Sequence, residues 1–277
     1  VVEQRRTIPE AIAQCACKKV TIKATDVNPN FAVCHCDSCQ LLHSGPWYGA
    51  NCGNVKILEG EKLVKTLSNP NRKDQAKNCD VVSPWKSWHF CGECGTRLYY
   101  RYDDRFNLSL GLLRKPHEKD LLMVAEAFHD KKPRYYSFHE TKKLSTGENV
   151  QKAIVQKAKQ KPEKRIPEVV TNCYCGAVKI KMSEVNPNFI ACHCASCHPV
   201  HSGPGFGAHC NNVEILDGKS HVKMYDAGPL AFWHFCSKCG TRLHYTFKDY
   251  WKNKNDGNVV SVGLLHKKHE KDLTMVN

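Results

Sequence analysis

The stretch CHCDSCQLLHSGPWYGANC, from Cys34 to Cys52, returns further along the chain as CHCASCHPVHSGPGFGAHC, from Cys192 to Cys210. Over the wider windows Cys15 to Cys52 and Cys173 to Cys210, 22 of 38 positions are identical at an offset of 158, which marks a tandem duplication. The offset then drops to 145, pairing WHFCGECGTRLYY (Trp88 to Tyr100) with WHFCSKCGTRLHY (Trp233 to Tyr245). A polar, basic loop around Ser68 to Val82 is therefore shortened in the second copy. At an offset of 152, GLLRKPHEKDLLMV (Gly111 to Val124) pairs with GLLHKKHEKDLTMV (Gly263 to Val276). The first copy continues through AEAFHDKKPRYYSF while the sequence stops at Asn277, so the second copy is expected either to lack a last strand or to be incomplete as given.

Seventeen cysteines in 277 residues would suggest disulfides in a small secreted protein, but their spacing argues for metal. They fall as CxC, CxCxxC and CxxC. A disulfide between cysteines two apart closes a strained ring, whereas neighbouring thiolates on a turn converge readily on zinc at about 2.3 Å. Seven in each copy fall in these motifs and divide into four and three. Cys15 and Cys17, read as two apart on a strand edge, join the Cys91–Cys94 knuckle in a closed four-cysteine site of structural type; Cys173, Cys175, Cys236 and Cys239 repeat it. Cys34, Cys36 and Cys39, repeated as Cys192, Cys194 and Cys197, offer three sulfurs from six residues. Three ligands leave a fourth position open to water or substrate, unless His43, His201, Cys52 or Cys210 closes it. Zinc is expected at two ions per copy and up to four per chain.

Short runs of β-branched and aromatic residues bounded by Gly, Pro and Asn predict a mainly β fold, with strands at Val20 to Ala24, Val55 to Leu58, Leu63 to Thr66, Arg97 to Tyr102 and Phe106 to Leu110, and counterparts such as Val178 to Met182 and Val259 to Leu264. No helical period of useful length appears within either copy. The expected organisation is a first zinc-binding domain over 8–140, a basic linker over 141–168 and a second domain over 169–277. The linker carries eight Lys or Arg against three Glu, with a short helix expected around Val150 to Lys159. Without interleaved aromatics it reads as a solvated tether before it reads as an arm for an acidic polymer such as nucleic acid or tubulin tails. Sheet domains this small bury little core, so metal must supply much of their stability.

The formal charge of +14 counts every cysteine as neutral. Fourteen thiolates and four Zn²⁺ change the balance by −6, leaving +8, a weaker argument for a polyanionic partner. The longest apolar runs are far below the roughly 20 residues that span a bilayer, and Val1 to Glu10 is polar rather than built like a signal peptide. The expectation is an intracellular protein, cytoplasmic or nuclear, with no membrane partner, although a chain opening on Val1 makes the missing signal weak evidence.

In combination, CxC, CHCxxC, a Gly a few residues on and FCxxCGT resemble the glutathione-dependent formaldehyde-activating enzyme family, which also includes centromere protein V. The resemblance covers most of both copies. It implies two tandem domains of the Mss4-like β type, a structural four-cysteine zinc, and a second, labile zinc on the CHCxxC cysteines that takes the sulfur of glutathione as its fourth ligand. The implied reaction is carbon–sulfur lyase chemistry of the S-hydroxymethylglutathione synthase type, in which glutathione adds to formaldehyde. A thiol of pKa near 8.5 is mostly protonated at neutral pH, so metal binding would present it as thiolate. Zinc already carrying three thiolates is a modest Lewis acid and would position sulfur more than polarise the aldehyde. The sequence departs from the family at Lys18, where the second copy has the commoner Gly176, and at Trp47 and Tyr48, which face Gly205 and Phe206.

The partners expected on this reading are a small thiol and an aldehyde. His43 and His201 are the candidate proton-handling residues, with loop packing as the plainer alternative. Trp47, Tyr48 and Phe206 are the candidate walls of the thiol pocket, Trp47 and Tyr48 narrowing the first. His35 and His193, enclosed between ligands, are read as donors to sulfur or backbone, and His89 and His234 as structural. The alternative function is a non-catalytic binding or architectural protein, chromatin or cytoskeleton associated, in which zinc only holds the fold.

Overall fold

The computed structural model describes residues 6–68, 86–134, 164–228, 231–248 and 258–276. Within these the first half runs β1 (Ile8–Gln14), β2 (Thr21–Val27), β3 (Asn30–Cys34), α1 (Asp37–His43), β4 (Trp47–Cys52), β5 (Asn54–Glu59), β6 (Val64–Ser68), β7 (Lys86–Cys91), β8 (Arg97–Tyr102), β9 (Arg105–Ser109), α2 (Arg114–His117) and β10 (Leu122–Ala127). The second half repeats it as β11 (Ile166–Asn172), β12 (Lys179–Val185), β13 (Asn188–Cys192), α3 (Cys197–His201), β14 (Gly205–Cys210), β15 (Asn212–Asp217), β16 (Val222–Asp226), β17 (Ala231–Cys236), β18 (Arg242–Phe247), β19 (Asn258–Ser261), α4 (His266–His269) and β20 (Thr274–Met275).

Each half is mainly β and holds two sheets. The smaller is ordered β1-β2-β5, repeated as β11-β12-β15; the larger is β10-β3-β4-β9-β8-β7-β6, repeated in the same sense from β20 to β16. All pairs are antiparallel except β10 with β3 and β20 with β13. Alternation builds these strands: on β2, Ile22 and Ala24 are buried while Lys23 and Thr25 are half-buried, as a period of two requires.

The strands expected from sequence are present with shifted ends. Val20 to Ala24 becomes Thr21–Val27, and Val259 to Leu264 is cut at Ser261, where a 3-10 turn over Val262–Leu264 begins. The helices α1 and α3 were not visible as helical periods, because seven and five residues are too short to show one. β11 starts at Ile166, inside the span read as linker. The expected helix at 150–159 and most of the loop at 68–82 lie outside the described residues.

Sequence reasoning treated the halves as separate domains, but they pack against each other. One core cluster joins Cys36, Cys39, Leu42, Trp47 and Trp88 of the first half to Val178, Ile180, Phe206, Cys236, Leu243 and others of the second. The seam is reciprocal. Ser44 Oγ donates to Phe206 O at 2.5 Å and Ser202 Oγ to Tyr48 O at 2.6 Å. Helix α3 lies on Gly111, where a Cβ would come within 1.9 Å of His198 O, and α1 lies on Gly263, where it would come within 2.1 Å of Gln40 O. Only glycine permits such an approach between a 3-10 turn and a helix backbone.

Candidate metal centres

Four groups of sulfurs converge, each with its atoms within 4.8 Å of one another: Cys15, Cys17, Cys91 and Cys94; Cys173, Cys175, Cys236 and Cys239; Cys34, Cys36 and Cys39; and Cys192, Cys194 and Cys197. None of these cysteines is in a disulfide. In the first four-cysteine group Cys15 and Cys17 are not on a strand, as the spacing suggested, but on the turn after β1, where Lys18 N donates to Cys15 O at 2.9 Å and Val20 N to Cys15 Sγ at 3.3 Å. The turn needs a left-handed residue. Gly176 supplies it in the second half at φ +78°, and Lys18 adopts it at φ +62°, at a cost of about 1 kcal/mol for a residue bearing a Cβ.

The other two ligands come from the β7–β8 turn, where Gly95 at φ +70° returns its amide to Cys91 O at 2.7 Å. Thr96 clasps the two turns together: its Oγ1 accepts from Ala16 N at 3.0 Å and lies 3.2 Å from Cys94 Sγ. Thr241 does the same with Tyr174 N and Cys239 Sγ. The Thr of the repeated CGTR motif was the available signal for this clasp, and sequence reasoning passed over it.

These groups fit a metal. Sulfurs at about 2.3 Å from a tetrahedral centre stand about 3.8 Å apart, and Cys17 to Cys91 and Cys175 to Cys236 are both 3.8 Å. The thiols also strain against one another without a cation. Hydrogen bonding with Cys91 and Cys94 pushes Cys15 far up, while donors from Cys15, Cys17 and Cys91 pull Cys94 far down. Four thiolates coexist there only if a cation compensates them.

Each three-cysteine group spans the end of one strand and the helix that follows it. Among the described residues no fourth His, Cys, Asp or Glu ligand atom joins either group. Cys52, instead, points its sulfur towards Phe106 O at 3.7 Å. The groups differ in cover: Cys36 and Cys39 are buried, Cys194 is exposed. In the first half β10 lies beside β3, and Glu126 on it binds His35 Nε2 at 2.7 Å and Lys132 Nζ at 2.7 Å. His35 is thus buried with its Nε2 against a carboxylate.

His43 and His201 both lie within the seam, wholly buried, and burial holds both below the ordinary histidine range, His201 at about 3. His201 is fully engaged, with Nδ1 2.9 Å from His43 O and Nε2 3.1 Å from Tyr245 Oη. Since a carbonyl only accepts, Nδ1 carries the proton and Nε2 accepts from the tyrosine. His43 has no hydrogen-bond partner at either nitrogen; it sits beside Trp88, 4.9 Å between centroids, and Trp47, 6.1 Å, whose indole nitrogens also lack partners. Trp47 pairs with Cys34 across β3 and β4 and packs in the same cluster as Cys36 and Cys39. Tyr48 and Phe206 face the seam: a Cβ at Gly203 would come within 2.3 Å of Tyr48, and one at Gly45 within 2.7 Å of Phe206. His89 and His234 are structural, stacked on Tyr99 and His244 at 4.2 and 4.1 Å.

A protein of Schizosaccharomyces pombe described as an uncharacterized lyase is 27% identical over 153 residues, covering 54% of this chain and 100% of that protein. A crystal structure of a Rhodobacter sphaeroides protein aligns over 39% of this chain and 100% of its own, with 21% identity and a TM-score of 0.31. Residues 10–130 and 168–275 each match the family described as glutathione-dependent formaldehyde-activating enzyme, one match over each set of seven cysteines. The chain, in both its halves, belongs to the glutathione-dependent formaldehyde-activating enzyme family.

Proposed function

We propose that the protein is a zinc-dependent carbon–sulfur lyase-type enzyme that handles adducts of glutathione, or a related thiol, with formaldehyde or another small aldehyde. The observation that carries the reading is the contrast between two groups of four converging cysteine sulfurs and two three-cysteine groups that no further ligand atom of the described residues joins. Zinc at the open groups would hold the thiol sulfur as thiolate. In the reaction a sulfur–carbon bond forms at the carbonyl carbon, the carbon–oxygen π bond is lost, and the proton from sulfur ends on oxygen. Family membership and the lyase name of the S. pombe relative support the class.

The chain's own residues contribute position. Cys192, Cys194 and Cys197 are held by the end of β13 and by α3, whose start is fixed by Cys197 N and His198 N bonding to Cys194 O at 3.1 and 3.3 Å. His43 and His201 act on this reading as neutral hydrogen-bonding groups, because burial disfavours the imidazolium. The positive charge of the chain favours an anionic thiol such as glutathione.

Cobalt substitution tests the reading. Saturating glutathione should change the sulfur-to-metal charge-transfer bands, with Cys36→Ser removing the first half's share and Cys194→Ser the second's. An unchanged spectrum, with a protein side chain as fourth ligand in both halves, overturns the enzyme and leaves a zinc-held architectural protein.

A further inference from the structure

Arg97 and Arg242 are the largest fully buried side chains of the molecule, 1% and 2% exposed. Each reaches across the seam. Arg97 Nη2 donates to Cys239 O at 2.7 Å, and Arg242 Nη2 donates to Cys94 O at 2.9 Å. The guanidinium lies over the glycine that follows the opposite knuckle: a Cβ on Gly240 would stand 3.2 Å from Arg97 Cζ, and one on Gly95 3.1 Å from Arg242 Nη1. Below, each arginine stacks on a phenylalanine of its own half, Arg97 over Phe90 at 5.2 Å and Arg242 over Phe235 at 5.3 Å.

Those contacts do not account for the charge. Among the described residues neither arginine pairs with a carboxylate, and Nε and Nη1 of both have no hydrogen-bond partner. A buried guanidinium with one carbonyl and a ring face is several kcal/mol short of its hydration unless an opposite charge lies near. Among the described residues the cysteines of the opposite knuckle lie beside each guanidinium, Cys236 and Cys239 beside Arg97 and Cys91 and Cys94 beside Arg242, with Cys197 of its own half also near Arg242. A divalent ion with four thiolates carries a net charge of −2, which a buried guanidinium at the knuckle backbone is placed to offset.

We propose that Arg97 and Arg242 are the exchanged counter-ions of the two four-cysteine metal centres, each half supplying the positive charge that the other half's centre requires. The duplication then makes one metal unit from two halves: removing metal from the second half strands Arg97 of the first as an uncompensated buried charge, and the reverse holds for Arg242. The separations along the chain, 142 and 148 residues, leave no local contact to explain the pairing. The inference rests on metal at the four-cysteine groups and on no chemistry at the three-cysteine ones.

Two measurements test it on the full chain. In the wild type, stepwise chelation followed by native mass spectrometry should show the two four-cysteine metals leaving together, with the species holding one of them scarce. Arg97→Met should then speed alkylation of Cys173, Cys175, Cys236 and Cys239 by about tenfold, the scale of lost outer-shell support, before Cys91 and Cys94 are affected; Arg242→Met should reverse the pattern. Arg97→Lys, which keeps charge and gives up the planar fork, should fall between. Independent, statistical loss of the two metals from wild type overturns the proposal alone, as does first labilisation of the arginine's own half. A chain that binds no metal overturns this proposal and the zinc reading together.

Discussion

The two three-cysteine groups have the same ligands at the same spacing, yet their surroundings differ because of one position. Gly205 in the second half has no Cβ, and the His201 ring occupies the space over it; a Cβ there would stand 2.9 Å from His201 Cδ2 and 3.4 Å from Cys197 Cβ. That placement lets Nε2 meet Tyr245 and Nδ1 meet His43 O. In the first half the same position is Trp47, whose ring folds back over Gly49. His43 then sits against Trp47 and Trp88 with both nitrogens unpartnered. A duplication that conserves the metal ligands has thus diverged in the histidine beside them, so the two sites are expected to treat a thiol differently.

The comparison is broken most severely at the metal ligands themselves. Cys236→Ser removes a ligand from a closed group, where metal binding of about 10–16 kcal/mol is also folding energy, and should abolish the cooperative melt of the second half by circular dichroism. Cys194→Ser, at an exposed ligand of an open group, should leave that melt nearly in place. Equal loss from both would erase the division between closing and open groups.

Gly205→Ala sharpens the contrast between the histidines. The added methyl displaces His201 from Tyr245, and overpacking of this kind costs about 1–3 kcal/mol. The His201 imidazole resonance should lose its protected ring proton in NMR, and the glutathione response of the second half should move towards that of the first. A retained resonance would show that the ring has room the structure does not give it.

The smallest effect is expected at Asp37, which lies between α1 and α4 with His266 Nε2 at 3.6 Å and Lys267 Nζ at 3.0 Å. Its counterpart is Ala195, so the pair ties one side of the seam only. The His266 imidazole and the Lys267 ammonium beside it hold the carboxylate down to about 2. The contribution is therefore complete above the ordinary aspartate range and lost as pH falls through about 2. Metal thiolates protonate at higher pH than that, which makes salt the usable lever. Asp37→Asn should lower stability by under about 1 kcal/mol, since Lys267 is largely exposed, and the difference should shrink in high salt. A larger, salt-independent loss would assign Asp37 a packing role.

The duplication, the fourteen converging cysteines and their division into fours and threes were all legible in the chain, because CxC, CxCxxC and CxxC are short-range geometry: neighbouring thiols on a turn have few places to go. The β character was legible for a similar reason, since a period of two shows over five residues, whereas seven-residue α1 gives a helical period too little length to appear. What the spacing left undecided was which surface of each half meets which. Tyr48 and Phe206 read as pocket walls, and nothing in the spacing marked Arg97, Arg242, Gly111 or Gly263 for a contact with the other half. Each is instead part of a seam whose contacts join residues more than a hundred positions apart. Such pairings depend on the shapes of two finished sheets rather than on neighbours in the chain. The metal ligands were therefore set by local sequence, and the environment that surrounds them was set by tertiary packing.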